Sequence, residues 1–201
     1  MLGVQILWTF KVQEGLEKGK QSEKTAELKK NEVFITKLAN ELTGFCLEDM
    51  GPNKLKRTKI ETIVTIHVHQ RDLYGELQDA VKAYKVKDAN DFDWTKNTRC
   101  AWRTDVNDVG IDVTDIPFVY QNEYLGAKER LCITPLTDRC YVTLSQALGM
   151  LYGGAPAGPA GTGKTETVKD LGRTLGIFVV VNNCSDEHKY KDMAKIFKGL
   201  C

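Results

Sequence analysis

The sequence carries little excess charge of either sign: over 201 residues, 28 Lys and Arg face 27 Asp and Glu, leaving +1. That balance supplies no global field to draw in nucleic acid or an anionic membrane surface. Long apolar runs are missing as well. The run at residues 177–181 falls far short of the roughly 20 residues a membrane helix needs. The opening residues, Met-Leu-Gly-Val-Gln-Ile-Leu-Trp, lack both a basic start and a small-residue cleavage site. No signal peptide is read, and a soluble intracellular chain is expected. Cysteines are few and scattered. Cys46, Cys100, Cys132, Cys140, Cys184 and Cys201 contain no CxxC pair, which argues against a zinc site and against a secreted disulfide scaffold. Six reduced thiols, mostly buried, are expected. With 42% hydrophobic and 27% charged residues, disordered and collagen-like classes fall away.

What is present divides along the chain. Residues 12–47 read as a charged helical segment, with Leu28, Ile35, Leu38, Leu42 and Phe45 on one face. Met50, Gly51, Pro52 and Asn53 break it, and the mixed charges of residues 18–30 form a solvated face. Residues 54–84 give conflicting signals. Val64, Ile66 and Val68 alternate with Thr65, His67 and His69 at strand period, whereas Ile60, Val64, His67, Tyr74, Leu77 and Val81 fit a helix. Length favours the helix. His67 and His69 are read as structural, because no third ligand is near in sequence. Next, Cys100, Trp102 and Thr104 alternate, residues 106–110 turn, and Ile111 and Val113 alternate again, which predicts a hairpin. Trp94, Trp102, Phe118, Tyr120 and Tyr124 are expected as core and contact aromatics. They lack the interleaved Arg and Lys of a base-stacking platform, so no nucleic-acid partner is expected.

A new unit begins near Leu131. Thr134 followed by Pro135 predicts an N-cap and a first helical proline, with the helix running through Leu136, Cys140, Leu144 and Leu148 to Gly149. Then Gly158, Pro159, Ala160, Gly161, Thr162, Gly163, Lys164 and Thr165 fill every fixed position of GxxxxGK[ST]. Each residue type has a reason. Glycines let backbone amides turn inward on a phosphate without Cβ clashes. A helix starting at about Gly163 adds unpaired N–H groups and the positive end of its dipole. Lys164 reaches the β- and γ-oxygens, and the Thr165 hydroxyl holds Mg²⁺. A helix is expected over residues 166–175 with Gly176 as its stop, followed by a buried parallel strand at 177–181. The strand before the loop, at 151–155, is short and glycine-rich.

Hydrolysis in this class also needs an acidic strand end to hold Mg²⁺ and position water. Asp186, Glu187 and Asp192 are present, but none follows an apolar strand run. Residues 127–201 are too few for a five-stranded nucleotide domain, and the chain is expected to be cut off within one.

Residues 131–141 together with 153–167 resemble the first AAA+ module of dynein heavy chains, and 183–186 and 195–200 are similar to its next stretches. Residues 63–72 and 120–126 are similar to the end of the dynein linker, closest to axonemal forms. The resemblance implies an α/β fold: an incomplete P-loop AAA+ domain at 127–201, preceded by a mostly helical linker end with a β-hairpin at 1–126. It implies that residues 54–84 are helical. It further implies a mechanical ATPase using ATP and Mg²⁺, with adenine against residues 131–135, Ile133 and Pro135 among them, and Glu166 beside the phosphates. Microtubules, bound through a stalk elsewhere, and intermediate and light chains are the implied partners, in the cytoskeleton of a cilium or flagellum. Asn182 departs from the family, which usually has Phe there. Two other readings use the same loop: a different AAA+ remodelling ATPase, or a structural module that binds ATP without turnover.

Overall fold

The computed structural model describes residues 1–47 and 54–200, so the expected break at 50–53 lies outside the described residues. Three helices build the first part: α1 (Leu2–Leu16), α2 (Gln21–Leu47) and α3 (Lys54–Lys82). The single helix expected from residue 12 is therefore two. Helix α1 starts earlier, and its apolar residues run around the whole cylinder, so no one-sided stripe announced it. The chain breaks at 17–20 around Gly19, a residue that weakens a helix interior. Leu28 and Ile35 of the expected face are buried, Leu38 and Leu42 are half-buried, and Phe45 is exposed.

Helix α3 settles the conflict at 54–84 in favour of the helix. It runs antiparallel to α2. Gln21 and Lys24 donate to the carbonyls of Val81 and Lys87, and Gln78 Nε2 donates to Glu32 Oε2 at 2.7 Å. Lys24 is thus buried, unlike the rest of the charge run expected to be solvated. Between these helices lies a core of Trp8, Val12, Leu16, Leu28, Ile35, Leu73, Tyr74, Leu77, Val81, Val86 and Trp94. The Trp8 ring lies tilted on Trp94 at 5.3 Å and edge-on to Tyr74 at 6.3 Å.

A one-turn helix α4 (Phe92–Thr95) leads into β1 (Arg99–Arg103), β2 (Asp108–Val113) and β3 (Ile116–Val119), an antiparallel meander in the order β1-β2-β3. The expected hairpin is real, but its turn is 104–107, and Asp108, Val109 and Gly110 already pair with β1. The third strand went unread because Pro117 interrupts four residues. An edge strand tolerates that proline. Cys100, Ile111 and Val113 point inward, whereas Trp102 and Tyr124 are exposed, contrary to their expected packing role. Helix α1 covers the sheet, with Thr9 Oγ1 accepting from the Cys100 amide at 3.1 Å.

The remaining elements are α5 (Pro135–Gly149), α6 (Lys164–Leu175) and α7 (Tyr190–Leu200). The meander, α5 and α6 share a second core of Cys100, Ile111, Val113, Tyr141, Leu144, Leu171 and Leu175, which straddles the expected boundary at 126/127. Helix α5 runs to Gly149 as expected; of the residues that traced it only Leu144 is buried, Leu136 and Leu148 are exposed, and Tyr141 and Ser145 supply the rest of its buried face.

The buried strand expected at 177–181 does not form. Among the described residues no strand pairs with it, and Phe178, Val180 and Val181 are 59%, 48% and 42% exposed. A central strand requires neighbours on both sides to bond its amides and carbonyls. Here the segment leans one side on α6, with Val179 against Gly172. Of the five described cysteines, only Cys100 is buried; Cys132 and Cys184 are exposed, so the expectation of mostly buried thiols fails.

Candidate nucleotide-binding site

The site is built around the start of α6. Thr134 caps α5 as expected: its hydroxyl accepts from the Thr137 amide and the Thr137 hydroxyl accepts from the Thr134 amide, with Pro135 at the first helical position. After α5 the chain runs without regular structure to residue 163. Gly158, Gly161 and Gly163 adopt φ of 155°, 79° and 79°, backbone that a Cβ would strain. Gly163 then serves as N-cap, and α6 opens at Lys164 with Thr165 and Glu166 in its first turn. The first amides of a helix have no partner within it, so this end offers donors to an anion.

Lys164 bends back over the loop. Its ammonium donates to the Gly158 carbonyl at 2.7 Å and to the Pro159 carbonyl, and lies 3.5 Å from Thr162 Oγ1. Thr162 Oγ1 donates to the Pro159 carbonyl at 2.9 Å, which closes the loop on itself. A Cβ placed on Gly161 or Gly163 would meet nothing within 4 Å, so this side of the loop is open to solvent. The Thr165 hydroxyl is exposed, and Glu166 pairs with Lys169 at 2.6 Å, which holds its carboxyl below the ordinary range. One ammonium, a helix start and an exposed hydroxyl suit a polyphosphate with its magnesium ion, which accepts a single protein oxygen beside phosphate and water ligands.

The other named residues lie elsewhere. Ile133 is half-buried against the second core and Pro135 is exposed. Ile133 lines a cleft of about 670 Å³, open mouth included, together with Trp8, His69, Arg130, Leu131 and Tyr141, and no residue of 158–165 lines it. Burial, reinforced by the Arg130 charge, pushes His69 down to about 4. His67 is buried with Nδ1 3.1 Å from Gln70 Oε1, and burial lowers it too. The helix points the two rings apart. Asp186 and Glu187 are exposed, and Asp192 caps the start of α7, its carboxylate accepting from the Lys189 amide at 3.1 Å.

One cluster escaped the sequence reading. Asp170 of α6 is fully buried, with Arg130 Nε at 2.9 Å and the Tyr141 hydroxyl donating at 2.5 Å. Burial first, and then the Asp170 charge, drive the Tyr141 phenol far above its ordinary range. The available signal was a charge set among Thr167, Leu171, Thr174 and Leu175 on the inward face of α6.

A family model described as "Hydrolytic ATP binding site of dynein motor region" matches residues 120–201. Dynein axonemal heavy chain 8 of Mus musculus is 50% identical over 200 residues, all of this chain and 4% of the relative. The same holds for the dynein gamma chain, flagellar outer arm, of Chlamydomonas reinhardtii: 50% over 200 residues, 100% of this chain and 4% of the relative. Dynein axonemal heavy chain 2 of Homo sapiens is 45% identical over 202 residues, covering 98% of this chain and 4% of the relative. The chain thus spans about 4% of the length of the curated relatives it matches. Along its whole length it is similar to one stretch of the axonemal dynein heavy chains, and its residues 120–201 match the model of the dynein ATP-binding site.

Proposed function

We propose that this chain is the ATP-binding stretch of a dynein-like microtubule motor, in which ATP binding and hydrolysis in the first AAA+ module drive linker movement. The observation that carries the reading is the loop at 158–165, whose glycines take the required backbone and whose Lys164 lies over it at the head of α6. Residues 127–201 are the start of the module and 1–126 the end of the linker. In this reading residues 158–163 wrap the phosphates, Gly158, Ala160, Gly161, Thr162 and Gly163 through their backbone N–H groups and Pro159, which has none, by shaping the loop, and Lys164 neutralises the β- and γ-oxygens. Thr165 ligates Mg²⁺, Glu166 borders the phosphates, and Ile133 and Pro135 contact adenine. The metal, when bound, spreads the charge of the transferring phosphoryl group. Microtubules, intermediate and light chains, and a place in the axoneme of a cilium or flagellum belong to the parent motor in the same way.

Lys164→Ala in the parent heavy chain tests the assignment. It should abolish ATP-dependent gliding of microtubules; undiminished gliding would sink it. Residues 1–201 alone should release no phosphate above a Lys164→Ala blank. They supply Lys164 and Thr165 but no acidic strand end, and an arginine from a neighbouring module is worth on the order of 10³ to 10⁵ in rate. Turnover near 1 s⁻¹, typical of working enzymes of this kind, that vanishes in the blank would make Asp186, Glu187 or Asp192 the missing acid.

A further inference from the structure

A carboxylate inside an apolar core is expensive unless its charge is matched and its lone pairs are bonded. Asp170 meets both conditions from three directions. Arg130 Nη2 donates to Oδ2 at 3.1 Å and to Thr174 Oγ1 at 2.9 Å. Arg130 Nε stands 2.9 Å from Oδ1 as an ion pair but is not aligned to donate, so the guanidinium bonds through Nη2. Tyr141, on α5, donates to Oδ2, and the Leu131 amide approaches Oδ1 at 3.4 Å. Arg173 reaches the same stretch of chain from α6, donating to the Glu129 carbonyl at 2.8 Å.

One side chain thereby fastens α6 to α5 and to residues 129–131. Its place along α6 gives this a consequence. Asp170 lies six residues after Lys164, about 9 Å along a rigid helix, so a shift at the phosphate end is felt at the cluster. On the far side, residues 120–131 run back to the meander, where the Tyr120 amide donates to the Val109 carbonyl at 2.9 Å, and touch α3, where Thr62 Oγ1 donates to the Lys128 carbonyl at 3.2 Å; the Gln121 and Glu123 amides tie the same stretch to the Leu175 and Gly176 carbonyls at 3.1 Å each.

We propose that the Asp170–Arg130 pair is the joint that transmits displacement of the phosphate-loop helix to residues 129–131 and on to the α1–α3 region. The inference rests on the reading of 158–165 as the ATP site. Asp170 is a positioning residue: every partner named here lies away from the loop. An apolar pair of similar volume would hold the core together as well. The charged pair adds a fixed relative orientation of helix and strap, the property a transmission element needs.

The test uses the parent heavy chain with a fluorophore pair reporting the distance between α2 and the nucleotide-binding module. Four variants are compared with the wild type: Asp170→Asn, Tyr141→Phe, Lys164→Ala, and the double variant Arg130→Met with Asp170→Leu. Asp170→Asn should bind a fluorescent ATP analogue within about threefold of wild type while kcat falls at least tenfold, in the range that small misplacements cost. Its nucleotide-dependent distance change should vanish. Tyr141→Phe keeps the ion pair and should lower kcat only about threefold, the cost of one bond to a charged group shared among several. It remains informative if Asp170→Asn does not fold. The double variant removes both charges of the pair; Arg173, 3.9 Å from Asp170 in the wild type, keeps its bond to the Glu129 carbonyl, so the variant should melt near wild type without regaining the distance change. If the double variant, or Asp170→Asn itself, shows wild-type kcat and distance change, the pair only holds the core and the joint is refuted. A loss of analogue affinity matching the loss of kcat would refute it as well, by putting Asp170 at the nucleotide. Failure of the ATP reading looks different: turnover would then survive Lys164→Ala, and both proposals would fall together.

Discussion

Residues 2–119 gather three of their aromatics into a buried cluster, whereas residues 177–200 bury none of theirs. In the first region Trp8, Tyr74 and Trp94 stack together at near-zero exposure. In the second, Phe178, Tyr190, Phe197 and Leu200 all face outward, and α7 buries no residue although its apolar side is as pronounced as that of α6. The two stretches do not differ in apolar content so much as in supply of partners. Helices α1, α2 and α3 bring complementary faces to one another, and the meander receives α1 and α5. Among the described residues no strand flanks 177–181: the Phe178 amide donates to the Glu123 carboxylate, and the side chains of 178, 180 and 181 stay exposed. Amphipathicity therefore sets which face will bury, and the presence of a second surface sets whether it does.

The largest test of the contrast is Trp94→Ala. Trp94 is fully buried against Trp8, and removing so large a ring from a core costs about 3–5 kcal/mol. Urea unfolding of residues 1–201 should show a drop of that order. A change under about 1 kcal/mol would mean the first region is no better packed than the second.

His69, on α3 in the well-packed region, faces Arg130 and Asp170, with Asp72 on its own helix. Its pKa is about 4 in the folded chain, against an ordinary 6.5. Below pH 6.5 the unfolded chain takes up a proton that the folded one refuses. Stability is therefore complete above 6.5, is lost as pH falls toward 4, and is flat below. At 1.36 kcal/mol per unit the loss is at most about 3 kcal/mol, and less because the ring is only half-buried. Urea midpoints at pH 7.5, 5.5 and 4 should fall further for wild type than for His69→Gln. Parallel curves would remove the effect.

How much of this was legible follows from the same contrast. Features satisfied within a few residues read correctly: the Thr134 cap, the start of α6, and Gly176 closing it; the loop glycines 158, 161 and 163 take the positive φ that glycine tolerates. At the end of α6 the Ile177 amide bonds to the Gly172 carbonyl at 2.8 Å and Gly176 takes φ 71°. Features needing a distant partner read poorly. The strand at 177–181 required neighbours no local pattern reveals. Asp170 looked like one more polar residue until Arg130 and Tyr141, 40 and 29 positions away, closed on it. The alternation at 64–69 read as strand while the length of 54–84 favoured a helix, and α3 forms with Ile66, His67, Gln70 and Leu73 buried.

Gly176→Ala sharpens the contrast at a smaller scale. The positive φ alone disfavours a Cβ, and the added methyl would stand 2.7 Å from the Tyr120 ring. A loss of about 1–3 kcal/mol is expected. Gly19→Ala, at a position whose Cβ would meet nothing within 4 Å, should cost far less in the same urea series. Equal losses would show that the end of α6 is no more constrained than an open turn.

The smallest effect is the most telling. Phe178→Ser replaces a large apolar side chain at a position where burial was expected and exposure is found, at 59%. Surface substitutions away from special features usually stay within about 0.5 kcal/mol. The serine variant of residues 1–201 should therefore unfold at an unchanged urea midpoint. It should also stay in solution at higher concentration, because an exposed apolar segment favours association. Sedimentation of both proteins at matched concentrations would measure the second effect, and urea melts the first. A destabilisation above about 1.5 kcal/mol, the size of losing a buried apolar side chain, would mean that residues 177–181 pack inside the folded chain after all. The contrast between the two regions would then fail at the residue where it is drawn most sharply.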